Sequence, residues 1–296
     1  MRLFDLLRRY KWDLGIALRE EGHRYDAPQW TFHIVRAPRN KWYADPFILD
    51  VTADKIIVLV EEFTYSIDRG RIAKLIIDKT SYKVKSEKII LDLTTHLSFP
   101  AILRIDGKIY IYPENSASGK CVIYNYDPDT DAVSPLNTLC FLPLTDAVIT
   151  EIDGRNYLFS TKIPTQNNNE LTVYEANEKA GDYKAVQTII LPDNTARSAG
   201  DFFIDGNKII RPAQNCNGGY GVGLVFQEVT QDIGGKFVLK EMLRKSPPNG
   251  YIGMHTYNQY GGYILVDLHA RCYPILHNIL QRIRHSIKGN SYAKSI

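Results

Sequence analysis

Hydrophobic and polar positions alternate along five segments of the 296-residue chain, and a short turn signal interrupts each segment once. Apolar side chains at every second position are typical of half-buried strands, so each segment predicts two antiparallel strands joined by a turn. The turn is Asp-Gly in three segments, beginning at Asp106, Asp153 and Asp205, and Gly-Gly in the last one; a longer turn ending at Asp54 serves the first. The segments are residues 45–63, 99–115, 146–162, 198–215 and 254–270.

Further strand-like stretches lie between these hairpins, so each repeat offers about four strands over roughly 45–55 residues, which is the size of a propeller blade. The five units predict an all-β fold, a five-bladed β-propeller over residues 30–270 with a narrow pocket on its axis. The fifth repeat ends early, and the segment 30–38 is expected to complete its blade. The intervening stretches are residues 71–78, 121–127, 171–177 and 221–229.

The two ends of the chain differ from the repeats. Residues 1–29 are expected to pack on the propeller, and residues 271–296 to form a short amphipathic, basic helix and a tail. Two interpretations of this helix stay open, because it can dock on the propeller or lie on an anionic membrane. Its apolar positions are Ile275, Leu276, Ile279, Leu280, Ile283 and Ile287, and its basic ones are Arg282, Arg284, His285 and Lys288.

Charge and cysteine usage narrow the function classes. The chain has 36 Lys plus Arg against 33 Asp plus Glu, without a long basic run, so nucleic acid is not an expected partner. The N-terminus lacks the apolar core of a signal peptide, which predicts a cytoplasmic location, peripheral at the inner membrane surface if the helix binds lipid. The four cysteines form no CxxC pair and no zinc spacing, so no cofactor is expected, while an axial metal ion is left open.

Aligning the repeats on their turns makes two sets of axial positions equivalent, and these positions carry different polar groups from blade to blade. Such variation predicts one shared pocket with distinct chemical roles. Asp45, Glu114 and Asp146 are the predicted catalytic residues, because reaction at an anomeric carbon uses one ionised and one protonated carboxyl, whose pKa values a narrow pocket drives apart. The sets are Asp45, Phe99, Asp146 and Ser198 at the start of the first strand, and Glu61, Glu114, Thr161 and Gln214 near the end of the second.

Ten further residues around the same strand ends form the predicted substrate-binding set. Arginine has a fixed fork that fits phosphate, so Arg197 and Arg211 favour a sugar phosphate, although structural bridges to acids of neighbouring blades are an alternative. The glycine-rich stretch 217–223 is similar to a nucleotide loop only in composition, and the strand-like sequence after it favours a hairpin turn. The set is Trp42, Tyr43, Glu61, Glu62, His96, Ser98, Arg197, Arg211, Gln214 and His255.

Several short motifs in fixed order resemble a known family. They are WYADPF, VEEF, HLSFP, YPEN, ARSAG, RPAQN and HTYN. Across about residues 10–268 the chain resembles the propeller domain at the N-terminus of plant glucosamine inositolphosphorylceramide transferases and its free-standing bacterial relatives. That domain is in turn similar to five-bladed glycosidases of the arabinanase, xylosidase and invertase type, whose inner-strand aspartate, often followed by proline, corresponds to Asp45 here. The chain lacks the Arg-Asp-Pro triplet of the invertase type.

The resemblance implies sugar chemistry and leaves three functions open, because a separate domain of the plant proteins resembles the glycosyltransferase catalytic unit. The leading hypothesis is a glycosyltransferase-like enzyme of surface polysaccharide or glycolipid synthesis, with Asp45 as base or charge stabiliser and the arginines on donor phosphate. The second is an inverting glycoside hydrolase with Asp45 as base and Glu114 as acid. The third is a non-catalytic carbohydrate-binding propeller. Each predicts a carbohydrate or sugar-phosphate ligand.

Overall fold

The computed structural model describes residues 10–271, which form five four-stranded antiparallel sheets. The predicted all-β, five-bladed β-propeller is therefore confirmed. The strands are β1 (Tyr10–Leu18), β2 (His33–Val35), β3 (Lys41–Val51), β4 (Lys55–Thr64), β5 (Arg69–Asp78), β6 (Val84–Leu91), β7 (Ser98–Ile105), β8 (Lys108–Glu114), β9 (Cys121–Asp127), β10 (Ala132–Cys140), β11 (Leu144–Ile152), β12 (Arg155–Lys162), β13 (Glu170–Ala176), β14 (Lys184–Ile190), β15 (Phe203–Asp205), β16 (Lys208–Asn215), β17 (Gly223–Gln231), β18 (Phe237–Lys245), β19 (Tyr257–Tyr260) and β20 (Tyr263–Arg271). Blades one to four take these strands four at a time from β3 to β18.

The fifth blade is built from both ends of the described chain. Its strand order is β19-β20-β1-β2, and β1 pairs with β20 from Tyr10 opposite Arg271 to Leu18 opposite Tyr263. The propeller thus begins before residue 30, which corrects the expectation that residues 1–29 only pack against it. The segment 30–38 does complete the last blade, through β2.

The predicted C-terminal helix lies outside the described residues, apart from Arg271, whose backbone belongs to β20. Two short 3-10 turns, at Arg19–Glu21 and Ser116–Ser118, are the helical elements within residues 10–271. Over the same range, no helix has the length and hydropathy that a bilayer span requires.

The hairpin turns follow the Asp-Gly signals. Both residues of the turn have positive φ at Asp106 and Gly107 (49° and 76°) and at Asp153 and Gly154 (50° and 73°). Two consecutive positive φ angles define the type I′ turn, whose twist matches that of the flanking strands. The turn chemistry therefore sets the register of the two inner strands in blades two and three.

Apolar side chains pack one blade against the next. Phe47 of blade one meets Phe99 of blade two edge-on, with ring centroids 4.9 Å apart, and both rings are buried. Leu14 and Leu265 of blade five are buried with Val60 of blade one in a second cluster. Burying each such side chain contributes about 1.5–3 kcal/mol. The core thus lies between blades and leaves the polar residues to the axis.

Three blades share a β-bulge at the start of the inner strand. The register shifts between Ala44 and Phe47 in blade one, and at the matching positions of blades two and three. The bulged residues Asp45, Phe99 and Asp146 all have positive φ, between 44° and 49°. This conformation is strained for a bulky residue such as Phe99, and such strain is characteristic of functional sites.

Candidate active site

A cavity of about 590 Å³ opens at the end of the axis where the inner strands begin. Each blade that carries the shared bulge contributes side chains at this end of the axis, either in the cavity wall or just beneath it. Eight of the thirteen predicted site residues line it, so residues from distant repeats converge on one cavity. The eight are Trp42, Asp45, Glu61, His96, Ser98, Glu114, Arg197 and His255.

Asp45 is held on both carboxylate oxygens by neighbouring blades. The strained backbone N–H of Phe99 donates to Oδ2 at 3.0 Å, and the Thr256 hydroxyl donates to Oδ1 at 2.7 Å. Burial raises the pKa of Asp45 to about 7, and the charge of His255 opposes this rise. Asp45 therefore exchanges a proton near neutral pH, as general acid–base chemistry requires.

Asp267 was missed by the sequence analysis, although it interrupts an apolar strand of the fifth repeat. It is fully buried and accepts the backbone N–H groups of Asp45, His255 and Thr256 at 2.9–3.1 Å. Its Oδ2 also lies 2.5 Å from Nδ1 of His255. Burial opposes ionisation, but His255 and these donors hold the pKa of Asp267 below its ordinary value.

His255 joins the two aspartates, since its Nε2 lies 3.5 Å from Oδ1 of Asp45. Burial favours the neutral ring, yet Asp267 and Asp45 outweigh it and raise the pKa of His255 to about 9. Ligand atoms of these three residues lie within 4.8 Å of one another, a spacing that suits a metal ion. A protonated imidazole has no lone pair for a metal, so an ion bound here would have to displace the proton of His255.

Glu114 and Asp146 form the other half of the site. Asp146 is 1% exposed and lies beneath the cavity floor, where Nε of Arg197 and Nε2 of Gln214 each donate to Oδ2 at 2.6 Å. Its own backbone N–H donates to Oε2 of Glu114 at 3.2 Å. Burial and the charge of Asp146 raise the pKa of Glu114 to about 8, against the effect of Arg197. Glu114 therefore keeps a proton at neutral pH beside a charge-paired aspartate.

Asp146 does not line the cavity, and neither do four of the predicted substrate-binding residues. Tyr43 and Glu62 project from the opposite face of blade one, because side chains alternate along a strand. The Tyr43 hydroxyl donates to Glu87 at 2.7 Å, and Glu62 forms ion pairs with Lys41 at 2.9 Å and Arg71 at 2.8 Å. Tyr43 and Glu62, predicted to bind substrate, therefore lie outside this cavity.

Arg211 and Gln214 also lie behind the cavity wall. Arg211 is completely buried and donates to the carbonyls of Thr195 and Ala196 and to Gln227 at 2.6 Å. These partners of its guanidinium are neutral oxygens, so Arg211 braces blade four and does not reach the cavity in which a phosphate contact was predicted. Gln214 acts indirectly, through its hydrogen bond to Asp146.

Arg197 reaches the cavity with most of its donors engaged. Besides the bond to Asp146, Nη1 donates to Asn167 at 3.0 Å and Nη2 to Glu114 at 3.3 Å. Because the charge of Arg197 is already paired, its guanidinium would bind the phosphate of a sugar donor far more weakly than an isolated guanidinium would. Of the two predicted alternatives for this arginine, the interblade bridge describes the observed contacts.

His96 and Glu61 depend on a glycine in the next strand. The N–H of Gly70 donates to Nδ1 of His96 at 2.9 Å, which leaves Nε2 pointing at Oε1 of Glu61, 3.0 Å away. A Cβ at Gly70 would lie 2.5 Å from the same Glu61 oxygen and closer still to the Leu97 carbonyl. Gly70 thus permits the close approach that places this pair on the cavity wall.

Aromatic rings from outside the aligned positions complete the walls. Trp12 of β1 stacks between His255 and His269, with centroid distances of 4.2 and 4.4 Å. Trp42 stacks on Phe63 at 4.7 Å, nearly parallel. Flat apolar walls with a few converging polar groups are typical of small-molecule sites. Trp12 was missed because it precedes the first repeat and enters the site only when the ring closes.

Comparisons with solved structures show the fold that surrounds this site. The GH43_1 enzyme from Xanthomonas citri complexed with xylotriose matches 77% of this chain and 86% of its own, at 12% identity and a TM-score of 0.51. A family 117 glycoside hydrolase of Zobellia galactanivorans matches 78% and 85%, at 10% identity and a TM-score of 0.53. At these identities the likeness concerns the five-bladed fold alone.

Comparisons of sequence identify the family. Glucosamine inositolphosphorylceramide transferase 1 of Oryza sativa subsp. japonica is 27% identical over 191 residues, and that of Arabidopsis thaliana is 25% identical over 190. Each alignment covers 62% of this chain and 25% of the relative, so the chain corresponds to about a quarter of the curated proteins. The family model "Glucosamine inositolphosphorylceramide transferase 1, N-terminal" matches residues 34–238, and the chain belongs to that family.

Proposed function

We propose that this protein is a carbohydrate-active enzyme, glycosyltransferase-like, whose axial cavity holds the sugar at its reacting centre. The observation that carries the proposal is that Asp45 and Glu114, two carboxyls with raised pKa values, line one aromatic-walled cavity. Carboxyls that exchange protons near neutral pH are the usual acid and base of glycosyl chemistry. Membership of a family named for transferases favours transfer over hydrolysis.

The two carboxyls take different roles in this proposal. Glu114 keeps a proton at neutral pH and donates it to the leaving oxygen, as a general acid. Asp45 removes the proton of the acceptor hydroxyl, or stabilises the positive charge that develops on the sugar ring. Asp146 is fixed by Arg197 and Gln214 beneath the cavity floor and holds Arg197 beside Glu114.

The donor is recognised mainly through its sugar in this proposal. Arg211 is buried and Arg197 is already paired, so neither of these two arginines offers an isolated cation to a diphosphate. Synthesis of a surface polysaccharide or glycolipid, at a cytoplasmic or inner-membrane location, is part of the same proposal. This part of the proposal rests on family membership. The activity of the longer plant relatives is a hypothesis for this chain.

Side-chain replacement tests the proposal directly. Nucleotide-linked glucosamine and N-acetylglucosamine are incubated with the protein and lipid or oligosaccharide acceptors, and transfer is followed by mass spectrometry. Asp45→Asn and Glu114→Gln should each lower the rate by about 10²–10⁴. Asp50→Asn, an exposed carboxylate in the same strand as Asp45, is the control and should keep the wild-type rate. Full activity of Asp45→Asn would exclude the proposed role.

Hydrolysis is the second candidate, favoured by the fold shared with glycoside hydrolases and by the protonated Glu114. Aryl furanosides and pyranosides, offered without any activated donor, separate it from transfer. Release of the aryl group that depends on Glu114 would favour hydrolysis. Sugar binding that survives both carboxyl-to-amide changes, with no turnover, would identify a binding module instead.

A further inference from the structure

The glycine-rich stretch 217–223, predicted as a hairpin turn, joins β16 to β17 and carries Tyr220 to the cavity. Its glycines serve two purposes. Gly218 and Gly221 have positive φ, at 82° and 60°, which bends the loop back over the axis. A Cβ at Gly221 would lie 2.8 Å from Cβ of His255, so glycine also allows the loop to rest on blade five.

Tyr220 contacts both halves of the site. The guanidinium of Arg197 lies over its ring, 5.0 Å from the centroid, and the His255 ring meets it at 5.1 Å and 81°. Arg197 is the partner of Glu114 and Asp146, whereas His255 is the partner of Asp45. A single aromatic ring thus rests on the two cations that serve the two acid–base carboxyls.

The ring also stands between this cluster and solvent. Tyr220 is 44% exposed although it lines the cavity, while Arg197 and His255 beneath it are largely buried. A ring with one covered and one exposed side is what a barrier at the mouth of a cavity requires. Tyrosine suits that place, since it supplies a large rigid surface with few rotatable bonds.

We propose that Tyr220 is a positioning residue that, seated on Arg197 and His255, restricts the access of water to Glu114 and Asp45. The catalytic meaning of this device rests on the proposed function, but the water barrier does not. The charged groups that face the two carboxyls are Glu61, His96, Asp146, Arg197, His255 and Asp267.

The test follows the two carboxyls by ¹³C NMR titration in the full-length protein, without ligand. Tyr220→Ala opens the mouth to water, so the pKa values of Glu114 and Asp45 should fall by about 1 or more toward ordinary values. Tyr220→Phe keeps the ring and should leave both unchanged. Tyr260→Ala is the matched control, because Tyr260 is 41% exposed with Arg104 over its ring at 4.3 Å, outside the cavity.

A second variant tests the same water barrier without removing the tyrosine. Gly221→Ala places a methyl group against His255 and displaces the loop while keeping the tyrosine, so it should lower the same two pKa values. Unchanged values in both Tyr220→Ala and Gly221→Ala, even with a lower melting temperature, would show that the ring is merely structural and overturn the proposal. A wild type that processes no sugar would count against the proposed function, while the titration still decides the role of Tyr220.

Discussion

Replacing Asp267 with asparagine removes the charge that keeps His255 protonated. The amide offers one acceptor oxygen where the carboxylate serves three backbone N–H groups and an imidazole nitrogen 2.5 Å away. Removing one member of a buried charge pair costs about 3–5 kcal/mol. The pKa of His255 should then fall below that of a solvated histidine, because burial acts on it without its main counter-charge.

The pH dependence of stability gives a second value for the free energy that protonated His255 contributes to folding. The folded state raises the pKa of His255 from 6.5 to about 9, so the stabilisation is complete below pH 6.5 and disappears as the pH rises through 9. That difference corresponds to about 3 kcal/mol, in agreement with the cost of breaking a buried pair. The wild type should therefore exceed Asp267→Asn in free energy of unfolding by more at pH 6 than at pH 9.

Urea unfolding of both proteins at pH 6 and pH 9 measures this difference. Asp201→Asn is the control, since burial raises the pKa of Asp201 to about 7 against the charge of Arg104. The ionised form of Asp201 is disfavoured in the folded state, so this variant should be more stable than wild type at pH 9, by up to about 4 kcal/mol. An Asp267→Asn loss of equal size at both pH values would refute the charge-pair argument and leave only the backbone hydrogen bonds.

Three further outcomes follow from the site. Glu62→Gln should lower the free energy of unfolding, measured in urea, by about 3–5 kcal/mol. It should leave sugar turnover per folded molecule unchanged in rate assays, whereas Glu61→Gln should reduce that turnover. Gly70→Ala should cost about 2 kcal/mol or more in urea unfolding, since its methyl group meets Glu61 and a backbone oxygen. Asp45 and Glu114 keep protons that the unfolded chain releases near pH 4, so wild-type stability should fall from pH 4 to pH 8, and a flat calorimetric profile would contradict their raised pKa values.

The internal repeats carried most of the fold and much of the site. Alternation and Asp-Gly turns predict hairpins through local geometry, and the alignment of five copies placed Asp45, Glu61 and Glu114 at one end of one axis. Local patterns predicted less well which face of a strand each side chain occupies. Alternation places Trp42 and Glu61 on the wall and Glu62 behind it, and a bulge interrupts this alternation at Asp45.

What the sequence did not reveal depends on contacts between distant segments. Trp12 and His269 meet only through the pairing of β1 with β20, and Tyr220 enters from a loop whose composition resembles an ordinary turn. Arg197 and Arg211 lie close in sequence, yet one pairs with Asp146 across blades and the other contacts its own blade. Such differences arise from three-dimensional packing that spacing along the chain does not encode.

The pairing of β1 with β20 makes completion of the ring and completion of the cavity one event. Trp12 arrives with the first described strand, and His255 and His269, on which it stacks, arrive with the last blade. A partly synthesised or proteolytically nicked chain without either strand has no finished cavity, however well its other blades have folded. Ligand binding is therefore a direct reporter of intact assembly. Fusions or insertions for engineering belong in the outer strands of blades two to four, away from the pairing of β1 with β20.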